Sequence, residues 1–184
     1  RQWHKGLVWN ILPMAILGIC VGWITASIVS DKIVGLLVGI IALLFVLQHV
    51  VLKQNKNSKI SLETSTRAGH FWGLIAGFTS FIAHAGGPPF QIYAMPLRLD
   101  PKVFTSSSVL IFSVLNFLKI GPYLALGRLN LNLTWSALTL MPVAICATLL
   151  GAAIVKKMNA EIFYPIMYGF LTLVALRLIF VSIL

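Results

Sequence analysis

Acidic residues are scarce in this chain. Only four Asp and Glu stand among 184 residues, all close to expected helix ends or loops, so no carboxylate cage for sodium or calcium is indicated. Charge of either sign is scarce at 10%, against about 25% in a soluble domain, and that excludes a soluble globular protein. Cysteine is nearly absent as well. Cys20 and Cys146 both lie inside apolar runs, which excludes a disulfide framework and reads instead as two small buried apolar residues. No histidine–cysteine spacing suggests a metal site, no nucleophile stands with a base, and no cofactor is implied. Long polar stretches are missing too. The longest, from Lys53 to Arg67, reads as a linker, leaving no room for a soluble domain. The first apolar run is of full spanning length, so it is not a signal peptide.

What remains is apolar. Hydrophobic residues make up 59% of the chain and the mean hydropathy is +0.95. Apolar runs cover roughly 7–29, 33–52, 68–97 (interrupted), 105–126, 133–155 and 160–183, each near the ~20 residues that a spanning helix needs. The expected fold is all-α: a polytopic membrane helix bundle with the lipid bilayer as its surroundings. The net charge of +10 could suggest nucleic acid. Basic residues gathered in short loops are better explained by the positive-inside tendency of membrane proteins, so no nucleic-acid partner is expected.

The chain repeats itself. LPMAILGICVG (Leu12–Gly22) matches MPVAICATLLG (Met141–Gly151): Pro13 pairs with Pro142, Ala15 with Ala144, Ile16 with Ile145 and Gly22 with Gly151, at a shift of 129. Asp31 then pairs with Glu161 and Gly39 with Gly169, at a shift of 130. Each block is a helix, a short charged turn and a second helix. The expected organisation is residues 1–53 as the helix pair closing an incomplete first repeat, 54–67 as the polar linker, and 68–184 as the second repeat. On that arithmetic the first copy lacks a counterpart of residues 54–129, and an N-terminally truncated sequence is expected, the more so because it begins with Arg1.

Within 68–97 the stretch HAGGPPF (His84–Phe90) interrupts a helix that would otherwise run about 45 Å at 1.5 Å per residue, well beyond the ~30 Å hydrocarbon core. Gly86 and Gly87 permit a turn, and Pro88 and Pro89 suit the first turn of a new helix. The reading is a helix over about 68–85, a break at 86–87 and a short helix over 88–96. Irregular backbone survives at depth only when buried in protein or lining a watery cavity, so the break reads as part of a binding site; a plain surface loop is the alternative. Charge supports a segment that enters and leaves on one side. Arg1, Lys5, Lys53, Lys56, Lys59, Arg67, Arg98, Lys102, Lys156 and Lys157 then share a side, with only Lys32 and Arg128 opposite. Such a re-entrant segment also makes the two copies inverted, a common transporter plan. Glycines four apart (Gly69/Gly73/Gly77, Gly18/Gly22, Gly35/Gly39) mark close helix packing in lipid.

Polar residues gather on one face of the helix expected over 105–126. Thr105, Ser108, Ser113, Asn116, Lys119 and Tyr123 fall within an arc of about 140° at 100° per residue. Lys119 is either a functional intramembrane charge or a snorkelling stem, and Thr105–Ser108 is either a ligand face or a helix cap. His84 before the break is a proton carrier, an anion donor or a packing residue, while Gln91 and Tyr93 follow it. Arg177 near the end of the last helix reads as snorkelling. Hydroxyl, amide and ammonium donors beside a helix start favour a small anion. The candidate substrate-binding set is His84, Gly86, Gly87, Gln91, Thr105, Ser106, Ser108, Asn116, Lys119 and Tyr123.

Gly73–Gly127 contains a G-x-x-x-G-x-x-S lead-in, the HAGGPP break, the turn RLDPKVF and the end NFLKIGPYLALG. Together these closely resemble the second-repeat signature of the sulfite exporter TauE/SafE family, also called the 4-toluene sulfonate uptake permease family. The flanking helix pairs 7–52 and 133–183 resemble that family's less distinctive parts. The resemblance implies a multi-pass protein of the bacterial inner membrane with two homologous halves, which moves sulfite, sulfonates or related sulfur-containing organic anions. It places the glycine-rich break at Gly86–Gly87 and the polar helix start at Thr105–Ser108. The first-half counterpart of the glycine-rich segment is absent here. A small-anion permease working by alternating access is therefore expected; a non-transporting membrane scaffold, subunit or inactive fragment and an intramembrane enzyme are the alternatives. A homodimer is left open.

Overall fold

The computed structural model describes residues 3–53, 65–127 and 131–184. All regular elements among them are helical: α1 (Lys5–Thr25), α2 (Asp31–Lys53), α3 (Thr66–Ile82), α4 (Gly87–Ala94) with a 3-10 turn at Met95–Leu97, α5 (Pro101–Ala125), α6 (Leu131–Lys157) and α7 (Ala160–Ile183). Five of them, α1, α2, α5, α6 and α7, are long and apolar enough to cross a membrane. The chain is a multi-pass membrane protein. Most of the expected linker, and Arg1, Lys56, Lys59 and Arg128, lie outside the described residues.

Local chemistry sets the helix starts. His4 caps α1 by accepting from Leu7 N at 3.0 Å. Asp100 caps α5, accepting from Lys102 N at 2.9 Å, with Pro101 behind it at the first helical position; a missing amide hydrogen costs nothing there. The helix therefore begins four residues earlier than expected, and Asp100 is the cap in place of Thr105–Ser108. Asn159 caps α7 by accepting from Ile162 N at 3.0 Å. Glu161 in the first turn of α7 and Lys156 and Lys157 in the last turn of α6 complement the helix dipoles.

Packing follows the glycines. A methyl group built on Gly73 would lie 2.5 Å from the Ile11 carbonyl oxygen, and one on Gly77 or Gly18 would overlap the backbone of Ala15 or Leu74. Helices α1 and α3 thus run side by side with their backbones touching. The contacts pair Asn10 with Gly69, Ala15 with Gly77 and Gly22 with Phe81, so the two helices are parallel. Helices α2 and α7 are antiparallel: Gly35 meets Ser182, Gly39 meets Ala175 and Ile179, and His49 stacks on Tyr168 at 4.0 Å. Cys20 and Cys146 are exposed on outward faces, not buried as expected. In α1 the small residues that meet α3 are Ala15, Gly18 and Gly22, and Cys20 lies off that stripe.

The break differs from its expected position. Helix α3 ends at Ile82, the turn occupies 83–86, and α4 starts at Gly87. The residue with left-handed backbone is His84 (φ 51°), whereas Gly86 sits at φ −74°. Gly86 serves approach instead. A methyl there would lie 2.6 Å from Ser80 Cβ and 2.7 Å from the Ala76 oxygen, so its absence lets the turn close onto α3. The chain then doubles back. Tyr93 OH donates to Ser65 O at 3.4 Å and accepts from Asn10 Nδ2 at 3.3 Å, which returns the end of α4 to the level where α3 starts.

These directions sort the charges. His4 N donates to Ser107 Oγ at 2.9 Å, Tyr164 OH donates to Leu99 O at 2.8 Å, and Arg98 lies 5.0 Å over the Tyr164 ring. Lys5, Arg67, Arg98, Lys102, Lys156 and Lys157 therefore share one end of the bundle. Asp31, Lys32 and Arg177 share the other.

Candidate functional site

Two polar assemblies flank the break. The first lies between α3 and α5. In a continuing helix the Ala85 amide would bond Phe81 O; here Ala85 N and Ala83 N both donate to Thr79 O, at 3.1 and 3.0 Å. The Thr79 hydroxyl shares its single hydrogen between Ile75 O at 2.8 Å in its own helix and Ala85 O at 3.2 Å across the turn. The carbonyls at the end of α3 then take side-chain donors from α5. Lys119 Nζ reaches Ser80 O at 2.9 Å, Ser80 Oγ at 2.5 Å and Asn116 Oδ1 at 3.3 Å. Tyr123 OH reaches Phe81 O at 2.9 Å. An ammonium has three hydrogens to donate, and these three acceptors use all of them. Lys119 is buried, with 4% of its surface exposed, so it is not a snorkelling residue. None of its three partners is a carboxylate; its charge sits at the negative end of the α3 dipole.

The second assembly is a cavity of about 450 Å³, inside the range of small-ligand sites. It lies between the turn, the start of α2 and the last turns of α7. Asp31, Lys32, His84, Gln91, Arg177 and Ser182 supply its polar lining, and residues such as Phe170, Leu171, Val174, Leu178 and Val181 its apolar wall. Gly87 and Pro88 also line it, and Gly87 has nothing within 4 Å of the place a Cβ would take. Of the first three positions of α4 only Gly87 has an amide hydrogen, since Pro88 and Pro89 follow and Phe90 N is bonded to Gly86 O at 3.3 Å. Gln91 Oε1 is buried without a hydrogen-bond partner. A half-turn of that amide exchanges acceptor for donor, so Gln91 can serve either kind of ligand atom. Lys32 and Arg177 outweigh Asp31, whose carboxylate already accepts from Lys32 N at 2.9 Å. The cavity therefore combines a net positive rim with a long apolar wall.

The expected site residues fall into three places. His84, Gly87 and Gln91 line the cavity. Gly86, Asn116, Lys119 and Tyr123 surround the end of α3, with the His84 ring 5.9 Å from that of Tyr123. Ser106 and Ser108 lie in the second turn of α5 and donate to carbonyls of their own helix, Lys102 O at 2.5 Å and Phe104 O at 2.8 Å. Thr105 immediately precedes them on the same helix. Sequence reasoning missed Lys32 and Arg177. The available signal was the alternation of spanning runs, which puts the first turn of α2 and the last turns of α7 at the same end without showing that the two helices touch.

Residues 1–178 match the family model described as Sulfite exporter TauE/SafE. No curated protein and no solved structure matches the chain.

Proposed function

The chain belongs to the sulfite exporter TauE/SafE family, and we propose that it is a bacterial inner-membrane permease that binds a small sulfur oxyanion or organic sulfonate in the cavity at the break. Family membership makes it a membrane permease or exporter of sulfur anions. The observation that carries it is the meeting of Lys32 and Arg177 with the turn at His84. Cationic hydrogen bonds to an anion are the strong ones, about 1.5–3 kcal/mol each. The basic end of the bundle takes the cytoplasmic side under the positive-inside tendency, so the cavity opens toward the outside, and 68–97 is a re-entrant segment.

Alternating access fits an inverted repeat. Gly39 on α2 meets Ala175 and Ile179 on α7. Shifted by 130, those positions become Gly169, Phe45 and His49. Tyr168, one residue from Gly169, does meet Phe45, with ring centroids 6.0 Å apart, and His49 at 4.0 Å. Gly169 itself has open space around it, so the correspondence runs through its neighbour; an approximate self-match of this kind in an antiparallel pair is compatible with a two-fold axis in the membrane plane.

The test is flux of labelled sulfite and of an aryl sulfonate in proteoliposomes. Arg177→Gln and Lys32→Gln should each raise KM about tenfold or more, from the loss of 1.5–3 kcal/mol. Wild-type flux of both anions equal to that of protein-free liposomes would refute the reading.

A further inference from the structure

Among the described residues Lys119 is the one lysine that is buried, and the cavity does not use it. Its position explains why. Breaking a helix inside a membrane strands the carbonyls of its last turn, with no water to satisfy them. Here the Ala85 amide is spent on Thr79 O and left-handed His84 stops the helical path. The oxygens of Ser80 and Phe81 instead receive Lys119 Nζ and Tyr123 OH, both at 2.9 Å. The two donors lie one turn apart on α5 and meet consecutive carbonyls on α3.

We propose that Lys119 and Tyr123 are positioning residues of the anion site: they replace the backbone donors that α3 loses at the break and so hold the His84 turn in the cavity wall. Asn116 steadies the ammonium through Oδ1, and Gly86 closes the turn against Ser80, the same residue that Lys119 holds. A left-handed non-glycine residue is strained and persists only where its surroundings over-determine it; the two caps, Thr79 Oγ1 and the Gly86 contact supply that determination. Helix α5 and the α3–α4 hairpin then move as one body during transport. This proposal rests on the permease reading for its functional consequence, but not for the cap itself.

The experiment takes the full chain as wild type, Lys119→Met, Tyr123→Phe and the double variant. It reads hydrogen exchange over residues 79–88, and KM and maximal rate for sulfite and an aryl sulfonate in proteoliposomes. Each single variant should speed exchange at the Ala83 and Ala85 amides and raise KM about two- to tenfold, the range set by one lost hydrogen bond. Maximal rate should change less than KM. The double variant should cost less than the product of the singles, because both act through one turn. A raised KM in Lys119→Met with unchanged exchange would make Lys119 a direct ligand and overturn the proposal, as would a silent Tyr123→Phe, which keeps the ring and removes only the donor. If the wild type moves neither anion, the permease reading fails while the exchange data still decide the cap.

Discussion

Adjacent glycines at the break should respond oppositely to the same substitution. In Gly86→Ala the new methyl would sit 2.6 Å from Ser80 Cβ, 2.7 Å from the Ala76 oxygen and 3.0 Å from Ser80 Oγ. One of these is backbone and cannot rotate away. The other two belong to the residue that Lys119 holds, so relief by moving Ser80 weakens the cap. Overpacking of this kind costs about 1–3 kcal/mol, and loosening a cationic hydrogen bond places the total toward the upper end. Gly87→Ala adds a methyl with nothing within 4 Å; alanine's helix preference over glycine, at most about 1 kcal/mol, is set against the resistance of a residue before Pro88 to helical backbone. Thermal unfolding in detergent reads the contrast, since 1 kcal/mol moves the midpoint by about 2–4 °C in a chain of this size. Gly86→Ala should lose several degrees, while Gly87→Ala should match the wild type or exceed it. A Gly86→Ala protein as stable as wild type, or a more damaged Gly87→Ala, would refute the assignment of Gly86 to close approach.

Further outcomes follow from the same geometry. Gly77→Val must push α1 away from α3 because its Cβ overlaps the Ala15 backbone; it should lose at least about 2 kcal/mol, whereas Gly151→Val, with open space around it, should be near neutral in the same unfolding assay. Asp100→Ala removes the cap of α5 and should cost about 1 kcal/mol, read as a lowered midpoint. Cys20 and Cys146 are exposed within spanning helices, where a thiol facing lipid stays protonated and unreactive, so a charged maleimide should label neither in intact membranes and both after denaturation, as mass spectrometry of the intact protein would report.

The spanning helices were legible because each needs only an apolar run and a start signal, and the observed bounds fall within a few residues of the runs. The glycine stripes were legible for the same reason: spacing alone shows that a face is smooth. The break was found but misplaced. Reasoning from conformational freedom assigns the reversal to the most permissive residues, Gly86 and Gly87, yet the strained backbone falls on His84 and Gly86 is needed for what lies beside it. Periodicity also revealed the polar face of α5 but not what that face meets. Lys119 and Tyr123 face stranded carbonyls, and only a fold shows which carbonyls are stranded. Arg177 and Lys32 come together through the pairing of α2 with α7, which are separated by more than a hundred residues, and no local pattern reports that meeting.

Occupancy of the cavity by an anion is tested most directly at Gly87, which lines it and has room for a side chain. In a background carrying Cys20→Ser and Cys146→Ser, the Gly87→Cys variant should react with a membrane-impermeant thiol reagent applied from the side opposite Lys5 and Lys156. Sulfite or an aryl sulfonate should slow that reaction, and adding Arg177→Gln should abolish the slowing. A thiol labelled at the same rate with and without either anion, or reached only from the side of Lys5 and Lys156, would contradict the account.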